Sequence, residues 1–270
     1  MAELDRVRNT ANRAADAAGW ILREKLGNLS GIDYKSAFNI VTEADKAAES
    51  EVIQTIREVF PNHKILGEES GALDADSADH RWIIDPLDGT TNFAHGYPFF
   101  CVSIAFEEKG EVIFGLVFNP VNNERFQAEK GAGAFLNGQQ IIASSVETLD
   151  ASLLATGFPP DSKNAKYSNM QEFQHLTDLC HGVRRDGSAA LDLCYVACGR
   201  LDGFWEFKLN AWDVAAGALI IREAGGIVTC PSGCDFEMES GHILASNGII
   251  HEELQRELNK ISEHARALAK

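Results

Sequence analysis

The stretch WIIDPLDGTTNF, Trp82 to Phe93, sets Asp85 and Asp88 three residues apart with a proline and a leucine between them. Two carboxylates held that close repel, and one takes up a proton unless a cation offsets the charge. Pro86 cannot continue a strand ladder and biases Asp85 towards extended backbone. The spacing therefore predicts a turn over Pro86-Leu87 that folds Asp88 back beside Asp85. Hard oxygen ligands with no histidine partner suit Mg²⁺ rather than zinc, and a carbonyl exposed in the turn can complete the shell. Gly89, Thr90 and Thr91 read as the start of a helical turn whose free amides would accept a phosphate. Carboxylates for Mg²⁺ beside amides for an anion are the ingredients of phosphoryl chemistry.

Three further segments carry acids: TEAD ends in Asp45, GEES holds Glu68 and Glu69, and WDVAAG holds Asp213. Each has a plainer reading. Thr42 with Asp45 matches a capping box. Asn210 with Asp213 matches the same logic at another helix start, where the dipole favours an acid. Asp88-Gly89-Thr90 fits an ordinary turn, and Glu68-Glu69 a solvated loop pair. A DxDGT motif with a nucleophilic first aspartate marks haloacid-dehalogenase phosphatases. Here the pair is one residue wider and far from the N-terminus.

These residues need elements to carry them. Apolar positions recur at helical spacing over Leu4–Leu26, Ala44–Val59, Ser188–Cys198, Asn210–Ala224 and Glu252–Leu268. Strand-like runs lie at Lys64–Leu66, Trp82–Ile84, Phe100–Phe106, Val112–Phe118, Arg125–Gln127, Ser152–Ala155, Gly203–Glu206, Ile227–Thr229 and Ile243–Ala245. EEKGE at 107–111 reads as a hairpin turn, and PPDSKNAK at 159–166 as a polar loop. The order is not a regular βαβ alternation. It predicts a mixed α/β chain with an antiparallel-rich sheet first and a helix-flanked sheet second. The seam falls near Ala143–Asp150, giving halves 1–145 and 146–270 of a single catalytic domain, 1–270.

Composition bounds the rest. The 270 residues are 45% hydrophobic, enough for a sizeable core. A formal net charge of −16 argues against a non-specific grip on nucleic acid or anionic lipid. It makes an anionic substrate a puzzle unless cations mediate the contact. None of the six cysteines forms a CxxC pair. They read as reduced thiols of a cytoplasmic protein, with Cys194 and Cys198 on a core face. The N-terminus reads as an amphipathic helix rather than a signal peptide, and no run suggests a membrane span.

GEES, WIIDPLDGTTNF and WDVAAG, in this order and spacing, resemble the signature of the inositol monophosphatase family, the Mg²⁺-dependent, lithium-sensitive sugar phosphatases. The resemblance covers nearly the whole chain. DKAAES, ATGFP and RRDGSAALDL look like its bacterial inositol-1-monophosphatase branch. It implies a layered αβαβα sandwich of the inositol monophosphatase and fructose-1,6-bisphosphatase type, usually dimeric. One Mg²⁺ would use Glu68, Asp85 and the Leu87 carbonyl, and a second Asp85, Asp88 and Asp213. A weaker third would sit by Glu68 and water. Thr90, paired with Asp45, would orient the attacking water alongside Glu68. Substrate contacts are implied at Leu87, Asp88, Gly89, Thr90 and Asp213, with the Gly89 and Thr90 amides on the phosphate. Gly187, Ser188 and Ala189 would line the sugar pocket, although Ser188 also reads as an N-cap. Arg184 and Glu206 match positions that contact substrate hydroxyls, and Lys35 a loop lysine near the metals. Arg184 could equally be a surface or interface charge.

The expected reaction is direct in-line hydrolysis of inositol-1-phosphate or a similar polyol phosphate, without a phosphoenzyme. No reactive-looking serine or cysteine has a histidine beside it in the sequence, and His95 reads as a loop residue. The same chemistry on fructose-1,6-bisphosphate, histidinol phosphate, NADP or 3′-phosphoadenosine 5′-phosphate is the alternative. A different class of function, a regulatory binding partner with secondary phosphatase activity, also remains open.

Overall fold

Strand alternation and helix periodicity sort the apolar residues into three cores. The computed structural model describes residues 3–28, 32–34, 40–77, 79–158 and 168–268, with backbone alone for 32–34 and 262–268. In chain order the elements begin with α1 (Glu3–Lys25), β1 (Ile32–Tyr34), β2 (Ile40–Thr42), α2 (Glu43–Val59), β3 (Lys64–Gly67), β4 (Gly71–Leu73), β5 (His80–Asp88) and α3 (Thr90–Ala94). A meander follows: β6 (Cys101–Glu108), β7 (Glu111–Asn119), β8 (Glu124–Glu129), β9 (Gly133–Leu136) and β10 (Gln139–Ile141). The second half holds β11 (Leu153–Thr156), α4 (Met170–Thr177), β12 (Gly182–Arg184), α5 (Ala189–Ala197), β13 (Gly203–Phe207), α6 (Ala211–Glu223), β14 (Ile227–Thr229), β15 (His242–Ser246) and α7 (His251–Leu268).

Among the described residues the large sheet has eight strands in the order β10-β9-β8-β7-β6-β5-β3-β4, and the second sheet five in the order β12-β11-β13-β15-β14. Trp82 and Ile84 of β5 share a core with Ala11, Ala14 and Ala18 of α1 and Ala48, Val52 and Ile56 of α2. Ile83, between them, points the other way, into a core shared with α5 and α6. That helix pair is apolar nearly all round, because the second sheet covers its other side through Ala155, Phe204 and Ala245. Beyond that sheet, Leu154, Trp205 and Leu244 meet Leu176 of α4 and Leu254 and Leu258 of α7. The layers therefore run helices, sheet, helices, sheet, helices, as the resemblance implied. Each fully buried leucine-sized side chain contributes about 1.5–3 kcal/mol.

The structure corrects the expectation at Pro86. The strand does not stop at Asp85. It continues through Asp88, pairing Asp85 with Ser103 and Asp88 with Cys101, so three steps on β5 oppose two on β6. This β-bulge takes Pro86, which has no N–H, out of the ladder without ending it. The Leu87 amide is satisfied by Asp85 Oδ1 at 2.9 Å. A bulge thus does what a turn was expected to do.

The cysteines also depart from expectation at one point. Cys230 and Cys234 form a disulfide, with Cα atoms 5.3 Å apart, so not all six thiols are free. Gly233, at φ 93°, closes the short CPSGC loop, and the Cys230 amide donates to the Cys234 carbonyl at 3.0 Å. Cys194 is buried in the central core, and Cys198 packs at its margin. Short strands such as β4, β9, β10 and β12, and helix α4, carried too few periodic positions to be read from sequence. Lys35 and the 159–166 loop lie outside the described residues. No described helix is long and apolar enough to cross a membrane.

Candidate active site

The bulge in β5 delivers Asp85 and Asp88 to one end of the large sheet, and the N-terminus of α6 brings Asp213 to the same place. Carboxylate oxygens of the three lie within 4.8 Å of one another. Asp85 is only 2% exposed. Burial pushes its carboxyl well above the usual range, and the charges of Glu68, Asp88 and Asp213 push it further. Asp213 is pushed up to about 8, by burial and then by Asp88. Asp88 reaches only about 6, because Ser188, Ala190 and other donors partly offset its burial. Ser188 Oγ donates to Asp88 Oδ2 at 2.7 Å, and the Ala190 amide donates to the same oxygen at 2.7 Å. Four mutually repelling acids with one partly buried focus call for positive charge. The donor set is all hard oxygen, which fits a divalent cation of the Mg²⁺ type.

The plainer readings of Asp45 and Asp213 hold alongside their place in the site. Asp45 Oδ2 accepts from the Thr42 amide at 2.8 Å and Thr42 Oγ1 at 2.6 Å, closing the capping box of α2. Its other oxygen lies 2.9 Å from Thr90 Oγ1. Asp213 Oδ2 accepts from the Asn210 amide at 2.6 Å, capping α6 while facing the cluster. A carboxylate has two oxygens, so each can close a helix with one and serve the site with the other.

Thr90 opens α3, and its Oγ1 also lies 3.1 Å from the Leu87 carbonyl. Before it, Gly89 sits at φ 98°. A Cβ there would lie 2.9 Å from the Phe99 carbonyl and 3.3 Å from that of Gly187, so both its conformation and its surroundings demand glycine. Asn92 Nδ2 donates to Phe99 O and Asp186 O, each at 2.7 Å, and so ties α3 to the loop before α5.

A cleft of about 200 Å³ opens beside the cluster, lined by Asp88, Gly89, Thr90, Gly187, Ser188, Ala189, Glu206 and Asp213 among others. Ser188 is the N-cap of α5, accepting from the Leu191 amide at 3.4 Å. Glu68 follows β3, its amide bonded to Ile84 O at 3.2 Å, and its charge reaches both Asp85 and Asp213. Arg184 sits at the end of β12 with an exposed side chain and does not line the cleft. Among the described residues the cation lining the cleft is Arg185, one residue further on. Adjacent residues of extended chain project to opposite sides, so the one-residue step decides which arginine faces in.

Sequence reasoning missed Ala190, Asn92, Arg185, Asp192 and Glu49. Arg185 and Asp192 were inside the quoted RRDGSAALDL, and an acid in the middle of an apolar helix was a usable signal. Glu49 lies one helical turn after Asp45 on the same face of α2. It is buried and accepts the Glu69 amide at 3.0 Å, so it anchors the loop that carries Glu68. A second group of metal-type ligands, Glu3, His63 and His80, lies elsewhere. There His63 Nδ1 accepts the Trp82 indole N–H at 3.2 Å, which leaves the ring proton on Nε2 and no free lone pair.

A model of the inositol monophosphatase family matches residues 3–265. A protein named inositol-1-monophosphatase from Synechocystis sp. is 47% identical over 249 residues, covering 92% of this chain and 87% of that one. One named Nus factor SuhB from Pseudomonas aeruginosa is 45% identical over 245 residues, covering 88% and 90%. A solved inositol monophosphatase from Anabaena (Nostoc) sp. superposes with a TM-score of 0.88 at 45% identity, covering 96% of this chain and 97% of the other.

Proposed function

Because the chain belongs to the inositol monophosphatase family, whose members are metal-dependent phosphomonoester hydrolases, we propose that it hydrolyses inositol-1-phosphate and similar polyol phosphates with Mg²⁺ as the metal. The observation that carries this reading is the convergence of Asp85, Asp88 and Asp213 at the mouth of a cleft that also holds Glu206. Glu68, Asp85 and the Leu87 carbonyl would hold one cation, and Asp85, Asp88 and Asp213 another; a third would sit by Glu68. Bound there, Mg²⁺ would supply Lewis acidity to water and to the leaving oxygen.

The chain's own residues position the reactants. Asp45 holds the Thr90 hydroxyl, which with Glu68 orients a water towards phosphorus. The Gly89 and Thr90 amides take the phosphate oxygens. The water oxygen bonds to phosphorus as the ester oxygen leaves; the water gives up one proton and the departing alkoxide gains one from solvent, so the products are the alcohol and orthophosphate. No protein atom needs to bond to phosphorus. Ser188 is engaged with Asp88, and burial pushes the Cys101 thiol well above its ordinary value. Positioning and charge compensation then carry the rate. Leu87 and Asp88 flank the substrate, Gly187, Ser188 and Ala189 line its pocket, and Lys35 is a further substrate contact.

A panel of phosphate esters assayed with Mg²⁺, with and without Li⁺, tests substrate class and the expected lithium inhibition. Acid quenching during turnover of labelled substrate should leave no phosphate on the protein. A stable phospho-aspartate would overturn direct hydrolysis. The Nus factor name of the Pseudomonas relative favours a second role for this chain as a binding partner. Affinity capture from cells beside the phosphatase assay separates the two. A cytoplasmic homodimer completes the proposal, and sedimentation tests the dimer.

A further inference from the structure

Two carboxylates of the cleft, Asp192 and Glu206, are explained neither by helix capping nor by the acidic cluster. Asp192 lies on α5, one turn below Ser188 on the same face, and is 1% exposed. Its Oδ1 is fully buried and has no hydrogen-bond partner among the described residues. A buried acceptor without a donor is costly to keep. Yet Asp192 lines the cleft, together with Glu206 and Arg185. Glu206 is 8% exposed, and its carboxylate fills the space that a Cβ at Gly157 would need. Burial, and then neighbouring acids, push both carboxyls well above the usual range, and the Arg185 charge offsets part of that. The pocket thus offers two carboxylate acceptors with a planar guanidinium beside them. That set matches adjacent hydroxyls on a ring: hydroxyls donate to carboxylates, and a guanidinium donates to the hydroxyl oxygens.

We propose that Asp192 determines specificity by accepting a hydrogen bond from one ring hydroxyl of a phosphorylated cyclic polyol, with Arg185 donating to the neighbouring hydroxyl. The inference rests on the phosphomonoesterase reading above and narrows its substrate class. A site built to bond a substrate hydroxyl rejects the analogue lacking it, because the protein group is then left unpaired.

The test is a cycle of substrate against protein. The wild-type enzyme and Asp192→Asn are assayed on myo-inositol 1-phosphate and its monodeoxy analogues with Mg²⁺. For one analogue the wild-type kcat/KM should fall by about 10- to 100-fold, the size expected for a hydrogen bond to a charged group. In Asp192→Asn that penalty should shrink to under about 3-fold while penalties at hydroxyls away from Asp192 persist. Thermal unfolding should place the isosteric variant close to wild type, since burial already disfavours the charged carboxylate there. The exposed Arg185→Gln is a second variant that the fold tolerates, and it should relax the penalty at the adjacent hydroxyl. If every penalty survives in both variants, Asp192 merely holds an ordered water and the assignment fails alone. If the wild-type enzyme hydrolyses other phosphate esters but shows no deoxy penalty, the polyol reading fails with it.

Discussion

Asp88→Asn separates the structural duty of Asp88 from its electrostatic one. In the structure Oδ2 alone accepts from Ser188 Oγ and the Ala190 amide, both at 2.7 Å. The oxygen of an asparagine can take the Oδ2 position, leaving its NH₂ group towards the other acids. Geometry should therefore survive. Burial lifts Asp88 from an ordinary 3.8 to about 6, roughly two units, and at about 1.4 kcal/mol per unit that is ~3 kcal/mol. The sign follows from which state holds the proton. Below 3.8 both folded and unfolded chains are protonated there, and nothing is lost. Between 3.8 and about 6 the unfolded chain ionises first, so metal-free stability falls as pH rises. Asp213, at about 8, extends the decline to higher pH. Asp88→Asn removes its share. Metal-free Asp88→Asn should thus be more stable than metal-free wild type by about 3 kcal/mol well above pH 6, and equal to it below 3.8. Urea unfolding with a chelator measures this. Millimolar Mg²⁺ should stabilise the wild type by mass action and the variant little, and turnover should fall at least ~10³-fold. A metal-free variant less stable than wild type above pH 6, or one with retained Mg²⁺-dependent turnover, would refute the reasoning.

Glu49→Gln should weaken the loop that carries Glu68, raising the Mg²⁺ concentration for half-maximal activity by about 10-fold at a stability cost of ~1–2 kcal/mol; metal titration and urea unfolding check the two effects. Gly89→Ala should cost ~1–3 kcal/mol in unfolding free energy and at least ~10²-fold in kcat, because the left-handed backbone and the Phe99 carbonyl both oppose a Cβ. Replacing Cys230 and Cys234 by serine opens only a short loop, so calorimetry should find ~2 kcal/mol or less of lost stability, with kcat/KM unchanged.

Much of the site was legible because its logic is local. Asp85, Asp88 and Gly89-Thr90 lie within six residues, and the capping boxes at Asp45 and Asp213 follow from spacing alone. Glu49, Asn92 and Ala190 were not legible. Each acts through one contact with a partner distant in sequence, such as the Asn92 amide on Asp186 O. Strands β9, β10 and β12 carry three or four residues each, too few for a period to emerge.

By itself the sequence pointed to a cation beside Asp85 and Asp88, since two carboxylates folded together repel unless one is protonated or a positive charge offsets them. It determined the family signature and, through 3.6- and 2-residue periods, most of the long elements. Only the tertiary structure decided that β5 bulges through Pro86 instead of ending there, because only the partner strand β6 can show a register shift. It also decided that Arg185 rather than Arg184 faces the cleft, and that Asp192 Oδ1 is buried with no donor among the described residues. The direction of a side chain and the pairing of a buried oxygen depend on neighbours from other elements. Spacing along one chain does not contain them.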